Sequence, residues 1–265
     1  MKDLIAIVED IHHFGSGYCQ LRLAVPAILN IEAGQFAMLK AAALFEPLLR
    51  RAMAFYQTKI NNNTTSVDFI FHVLGRGTQA LAQLKQGDKV EFLGPLGKSF
   101  STLPAQEQGK ALIVAGGVGT PAVLILAQEL CKQAIETHIF LGARSKDDLI
   151  GVEDFSALPV KLTIATDDGS VGEKGFVTQS LENFLQQQDQ KNFVVYTCGP
   201  EIMMKRTGEI AANFGLKTFA SLEARMACGF GVCVGCVVEI QNGDNCSYQR
   251  VCVEGPVFDS SEVVW

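Results

Sequence analysis

Five of the chain's eight cysteines fall in one stretch, EARMACGFGVCVGCVVEIQNGDNCSYQRVCVEGPVF. Cys228, Cys233 and Cys236 read C-x4-C-x2-C. That is the plant-type spacing of a [2Fe–2S] cluster, whose fourth thiolate arrives from further along the chain. Cys246 and Cys252 are the two candidates for it. Soft sulfur donors stabilise iron–sulfide cores. Gly229, Gly231 and Gly235 between the ligands let the loop wrap the cluster and aim backbone N–H groups at its sulfurs. The competing chemistry is a structural zinc site in a nucleotide-binding regulator without redox activity. Zinc, however, favours two closely spaced C-x2–4-C knuckles. The spacing therefore points to electron transfer.

Two glycine-rich turns offer anion sites. The apolar run Ala111–Ala115 ends in Gly116-Gly117-Val118-Gly119-Thr120, followed by Pro121. Glycines admit close backbone approach, and a helix N-terminus presents free N–H groups to phosphate. Pro121 suits the first helical turn. The run is not the G-x-G-x-x-G fingerprint, and a ligand-free strand–helix turn is the plainer alternative. Cys198-Gly199-Pro200 ends another strand at the same sheet edge, where ligands of open α/β sheets bind. Cys198 reads either as a small buried residue or as a nicotinamide contact. Asp167 and Asp168 would accept ribose hydroxyls and repel a 2′-phosphate, favouring NAD over NADP. Arg144 and Lys146 argue weakly the other way.

Two N-terminal features have the makings of a flavin site. In Arg50-Arg51-Ala52-Met53-Ala54-Phe55, an arginine on a strand can hold a pyrophosphate through a forked pair of hydrogen bonds. In Ile70-Phe71-His72-Val73-Leu74-Gly75-Arg76-Gly77-Thr78, a Gly-Thr turn before a helix adds backbone donors. Taken singly, Arg51 is a solvated surface charge and His72 an edge residue facing water.

These residues need scaffolds. The 265 residues, almost half of them hydrophobic, suit two compact domains and a small appendix. A net charge of −6 without a dense Lys/Arg run argues against nucleic-acid or anionic-membrane surfaces. No stretch approaches a transmembrane helix. MKDLIAIVED lacks the form of a signal peptide or anchor, and the cysteines lack the spread of a disulfide framework. The expected home is the cytoplasm, with no membrane partner.

Residues 1–102 predict an antiparallel β-barrel, with strands at Asp3–Ile11, Tyr18–Val25, Gln35–Lys40, Arg51–Lys59, Ser66–Val73 and Lys89–Leu93 and a helix at Gln79–Leu84. Asn61-Asn62-Asn63 is its hairpin tip. Residues 103–222 alternate strands with helices, at about Pro121–Ala134, Lys146–Ala157, Thr178–Gln188 and Glu201–Phe214. This predicts a parallel sheet covered on both faces. Residues 223–265 form the cysteine segment. The fold class is α+β multidomain. Cys19 and Cys131 read as core.

The order of these parts, with LEARMACGFGVCVGC, RVCVEGPVF, EFLGPLG and LIVAGGVGTP, resembles the electron-transfer subunit of NAD-dependent dihydroorotate dehydrogenase, in the ferredoxin–NAD(P) reductase superfamily. The resemblance covers essentially the whole chain. It implies FAD between barrel and sheet, a [2Fe–2S] cluster on Cys228, Cys233, Cys236 and Cys252, and NAD(H) as co-substrate. It also implies an FMN-containing catalytic partner, in a heterotetramer of two of each, serving pyrimidine biosynthesis. No general base for dihydroorotate is expected here. The family's flavin motif Arg-Pro-(Ile/Leu)-Ser falls on Arg51, Ala52, Met53 and Ala54, of which only the arginine is kept. Ile70, Phe71, His72, Gly77 and Thr78 match its other flavin-contacting positions, with His72 where an arginine is common. Gly116, Gly117, Gly119, Thr120, Cys198 and Gly199 are the expected dinucleotide contacts. A related bifurcating ferredoxin–NADP reductase subunit shares the CVxGPxFD ending but usually has aspartate at the first cysteine, so Cys228 favours the dihydroorotate type. The alternative function is a reductase for another acceptor, such as a ferredoxin, a hydrogenase or a bifurcating complex.

Overall fold

The computed structural model describes residues 1–43, 45–188 and 192–265. The N-terminal sheet has seven strands: β1 (Lys2–His13), β2 (Tyr18–Val25), β3 (Phe36–Ala41), β4 (Arg51–Ala54), β5 (Gln57–Asn61), β6 (Thr64–His72) and β7 (Lys89–Leu96). Their order is β4-β3-β7-β1-β2-β6-β5, every neighbouring pair antiparallel. Alternation drives it: Cys19, Leu21, Leu23 and Val25 of β2 are fully buried, while Gln20, Arg22 and Ala24 lean outwards. Cys19 is thus core. Arg22 forks onto Asp68, its cross-strand partner on β6, at 2.7 and 2.8 Å.

The expected strand Arg51–Lys59 is broken. Phe55 N–H donates to Gln35 O and Tyr56 N–H to Asp68 O, so the chain crosses here from one sheet edge to the other. Hence there are seven strands rather than six, and β4 and β5 are joined by covalent continuity instead of a ladder. Asn61 pairs with Thr64, leaving Asn62-Asn63 as a two-residue turn. The short helix α1 runs Arg76–Ala82, starting earlier than predicted.

The second sheet contains β8 (Lys110–Gly116), β9 (Glu136–Ala143), β10 (Lys161–Thr166), β11 (Glu173–Lys174), β12 (Val194–Cys198), β13 (Lys217–Ser221) and β16 (Val257–Asp259), with β14 and β15 lying elsewhere. Its order is β11-β10-β9-β8-β12-β13-β16, parallel except for β16. One face packs under α5 (Val177–Gln186) and α6 (Glu201–Asn213) through Leu112, Val114 and Val195. The other packs Ala111, Ile113 and Ala115 against α3 (Leu124–Lys132) and the barrel core. The helix α2 (Leu103–Gln108) links the sheets and was not anticipated. Two predicted helices are shorter than expected. The one from Pro121 begins as a 3-10 turn before α3, and that over Lys146–Ala157 reduces to a 3-10 turn and α4 (Val152–Ser156), separated by left-handed Gly151. Cys131 on α3 is half-buried rather than core.

The cysteine segment holds the hairpin β14 (Val237–Asn242) and β15 (Asn245–Arg250). It then returns to the body. Lys98 N–H donates to Gly255 O at 2.6 Å, Leu222 N–H to Pro256 O at 2.9 Å, and β16 joins β13. The sheets are also tied by the Tyr56 hydroxyl, which donates to the Asp154 carboxylate of α4.

His138 on β9 lies between Phe140 and Phe184, at 4.3 and 4.7 Å between ring centroids, with Nε2 2.9 Å from Thr163 Oγ1. Burial, then Lys161, pushes its pKa down to about 4. The unfolded chain binds this proton near pH 6.5. Its stabilising contribution is therefore complete above about 6.5 and lost as pH falls towards 4. His138→Phe should flatten the thermal-midpoint profile over that window; an unchanged slope contradicts the assignment.

Candidate functional site

The cysteine loop presents its thiols in two pairs. Cys236 and Cys252 are 3% and 2% exposed and their thiols are in hydrogen-bonding contact. Cys233 is exposed, and its N–H points at Cys228 Sγ from 3.5 Å. Burial would raise the Cys228 pKa, but N–H groups of Cys233, Phe230 and Val232 bring it down to about 6. Burial and the neighbouring Cys236 thiol push Cys252 up to about 12. Among the described residues no three His, Cys, Asp or Glu side chains converge on a single metal-ion position. Four thiols in one loop, in the plant-type spacing, suit an iron–sulfur core.

The turns of the loop have steric causes. Gly229 has φ 82°, and a Cβ there would lie 2.5 Å from Met38 Cγ. Gly231 has φ 90° and presses on Val253 and Arg250. Gly235 is different: a Cβ would have ordinary room, with Cys233 Sγ 3.6 Å away. Val234 takes the left-handed turn there, at φ 53°. For a β-branched residue that costs about 1–3 kcal/mol, held by the surrounding structure.

The hairpin separates the two candidates for the fourth ligand. Val237 pairs with Arg250 at its base, and Val251 N–H donates to Cys236 O at 2.8 Å. Cys252 therefore sits beside Cys236. Cys246 lies opposite Gln241 near the tip, four residues or ~13 Å up the strand from Arg250. Its thiol donates to Glu239 Oε1 at 2.8 Å.

A cleft of about 620 Å³ opens between barrel and second sheet, within the usual range for a ligand. Arg51, Ala52, Met53, Ala54, Ile70, Phe71, His72 and Thr78 line it. Gly77 does not line it, but the space of its missing side chain is filled by the Arg51 guanidinium. Arg51 Nη1 also donates to Leu49 O at 2.7 Å, which fixes the fork. The Gly-Thr turn offers fewer donors than expected, because Thr78 Oγ1 already accepts the N–H groups of Leu74 and Gly75. His72 is held by Ser16 O at 2.8 Å and by the ring of Tyr18. An arginine cradle, an apolar floor and the absence of a side chain at Gly77 fit FAD.

A second cleft of about 750 Å³ adjoins the first, sharing His72, Leu74 and Val118. Gly116, Gly117 and Asp167 line it, as do Arg144 and Arg206. Asp168 does not, and its Oδ1 accepts Ser170 N–H at 2.9 Å. Arg144 leans on Asp148 at 3.4 Å. Gly119 and Thr120 lie behind the wall: a Cβ on Gly119 would strike the Cys198–Gly199 backbone, and Thr120 is buried. The missing side chain of Gly119 lets the two turns touch. Gly199, at φ 156°, packs against Met203 and Gly116. Cys198 is buried, with its pKa raised by burial, yet lines the flavin cleft.

The sequence reading missed one wall of the flavin cleft, formed by Ser221, Leu222, Glu223, Ala224, Arg225 and Met226. The signal was the position of SLEARM between the last strand and the first cysteine. Glu223 is exposed at its surface, yet desolvation by the surrounding protein raises its pKa.

Residues 223–264 match the iron-sulfur cluster binding domain of dihydroorotate dehydrogenase B, and residues 113–209 match the oxidoreductase NAD-binding domain. The chain is 38% identical over 244 residues to the dihydroorotate dehydrogenase B (NAD(+)) electron transfer subunit of Desulforamulus reducens, covering 92% of this chain and 88% of that one. It is 36% identical over 260 residues to the electron transfer subunit homolog of Aquifex aeolicus, covering 97% and 96%. The solved NADH-dependent reduced ferredoxin-NADP oxidoreductase, described for flavin-based electron bifurcation, superposes with a TM-score of 0.85 at 28% identity, covering 98% of this chain and 90% of that one. Identities of 36% and 38% along more than nine-tenths of this chain are similarity at the level of a family: the chain belongs to the electron transfer subunits of dihydroorotate dehydrogenase B (NAD(+)).

Proposed function

We propose that this chain relays electrons between a catalytic, FMN-containing dihydroorotate dehydrogenase subunit and NAD(H), in pyrimidine (UMP) biosynthesis. One observation carries the reading. Cys236 and Cys252 share a packed core with Phe36, Met38 and Leu222, and Ala52 and Met226 pack onto it. Phe36, Ala52, Leu222 and Met226 also line the flavin cleft. The thiol pair and the flavin wall are thus opposite sides of one apolar layer.

In this reading Cys228, Cys233, Cys236 and Cys252 ligate the cluster. Arg51 holds the FAD pyrophosphate, while Ala52, Met53, Ala54, Ile70, Phe71 and His72 form the floor of its cleft. Gly116 and Gly117 admit the dinucleotide. When bound, FAD exchanges hydride with NAD(H) in two-electron steps and single electrons with the [2Fe–2S] cluster. The chain's own residues bind, orient and exclude water. Ala54 has no hydroxyl to offer the flavin ring, so hydrogen bonds at that edge fall to backbone groups. We divide the chain at residues 1–102, 103–222 and 223–265 by these three tasks. The assembly is a heterotetramer of two of each subunit. We assign it to the cytoplasm, where the cysteines outside the cluster stay reduced. Among the described residues no helix is long and apolar enough to cross a membrane.

A second reading, a reductase for another acceptor, draws on the likeness to the bifurcating oxidoreductase. Mixing the chain with a dihydroorotate dehydrogenase subunit decides between them: dihydroorotate-dependent NAD⁺ reduction supports the first reading and its absence the second. Iron with acid-labile sulfide is expected in the purified protein, and zinc without sulfide would refute electron transfer.

Cys252→Ser should abolish the cluster's visible absorbance while Cys246→Ser retains it; the reverse result contradicts the ligand choice. Gly77→Ala should displace the Arg51 guanidinium and lower bound FAD per chain, measured after desalting, without lowering sulfide content. NADH should reduce the protein faster than NADPH. Asp167→Asn should narrow that preference by about tenfold, or ~1.4 kcal/mol, whereas Asp168→Asn leaves it unchanged; equal effects at both positions would discard the argument.

A further inference from the structure

Arg250 closes β15 two residues before Cys252 and reaches back over the cysteine loop. Its Nη1 donates to Gly231 O at 2.9 Å, midway between Cys228 and Cys233. Its Nε and Nη2 donate to the two carboxylate oxygens of Glu254 at 3.0 and 2.5 Å, and its backbone N–H also reaches Glu254, at 2.7 Å. A Cβ on Gly231 would stand 3.1 Å from Nη1, so the guanidinium lies directly against the loop backbone. On the other strand its partner is Val237, the residue after Cys236. One side chain therefore touches the segment of one thiol pair while belonging to the segment of the other.

We propose that Arg250 is a positioning residue that sets the reduction potential of the cluster, with Glu254 limiting how much of its charge the cluster feels. This rests on the ligand set proposed above. One-electron reduction makes the cluster more negative by one charge and breaks no protein bond. A guanidinium beside the thiolates stabilises that extra charge, and an adjacent carboxylate opposes it. The charge of Arg250 is felt at Cys252 and Cys236. The fork does a second task. Bidentate pairing to Glu254 leaves Nη1 aimed at Gly231 O, which a lysine ammonium on a flexible stem cannot reproduce.

The test is a redox titration of the cluster-loaded chain in complex with its partner subunit, followed by the electron paramagnetic resonance of the reduced cluster. Glu254→Gln keeps an acceptor for Arg250 and removes the opposing charge. It should raise the one-electron equilibrium constant for reduction tenfold, a positive shift of about 59 mV. Arg250→Gln should shift the midpoint negative by a similar factor. Arg250→Lys should restore the wild-type midpoint while losing the cluster faster on standing. A sulfide-replete Glu254→Gln with an unmoved or more negative midpoint overturns the proposal, as does an Arg250→Lys midpoint as low as that of Arg250→Gln. If Arg250→Gln retains no cluster, the Glu254→Gln arm decides alone. Failure of the ligand reading is separate: it shows in the wild-type protein as zinc without sulfide.

Discussion

Lys98 N–H meets Gly255 O at 2.6 Å, and one residue later Leu222 N–H meets Pro256 O at 2.9 Å. The donors lie just past the ends of β7 and β13, one from each sheet. The acceptors are adjacent in the chain, three and four residues after Cys252. From there β16 adds itself to β13 as the sheet's one antiparallel strand. These few hydrogen bonds decide where the cysteine loop sits relative to the flavin cleft, since Pro256 is itself part of that cleft's wall. Electron exchange between non-bonded groups falls steeply with distance, so the stitch constrains how the loop can serve the cleft. Space is as limiting as hydrogen bonding here: a Cβ on Gly97 would lie 2.6 Å from Pro256 Cδ.

The two thiol pairs meet different environments, with consequences for loading. A thiol must lose its proton to become a ligand. Loop N–H groups favour the thiolate of Cys228, whereas burial and the Cys236 thiol disfavour that of Cys252. The inner pair, Cys236 and Cys252, is buried in a packed core, while Cys233 of the outer pair is exposed. Around the outer pair Phe230, Val232 and Val234 are exposed, Val232 at 73%. In a relay subunit, an apolar rim beside the solvent-facing end of the path is where a partner would exclude water.

Much of this was legible in the sequence where chemistry dictates residue type. Cysteine spacing, the glycine run after an apolar strand and the arginine of β4 all fall at clefts or at the loop. The alternation in β2 and the apolar runs of β8 and β12 gave both sheet classes. Tertiary packing hid the rest. Nothing in RAMAFYQTK marks Phe55-Tyr56 as a crossing between sheet edges, because both halves have strand propensity and only long-range partners, Gln35 and Asp68, break the run. Gly119 looks like a phosphate contact by type, and the fold adds a packing reason for it that the sequence does not show: its missing Cβ admits the Cys198-Gly199 turn. SLEARM carries no phosphate-binding signature, and it becomes a cleft wall only because β13 ends beside the flavin cleft.

Ala52 and Ala54 stand where the resemblance implies proline and serine, and the fold gives Ala52 a context. It pairs with Met38 across β3 and β4. Met38 is fully buried, and its side chain fills the space beneath Gly229 in the cysteine loop. One thioether thus separates the flavin floor from the backbone beside Cys228. A side chain at Gly229 would run into Met38, and an unbranched methionine is the core residue best able to absorb small mismatches. Met38 therefore links the cleft floor to the cysteine loop through packing. Residue 52 thus sits one side chain away from the cysteine loop as well as on the cleft.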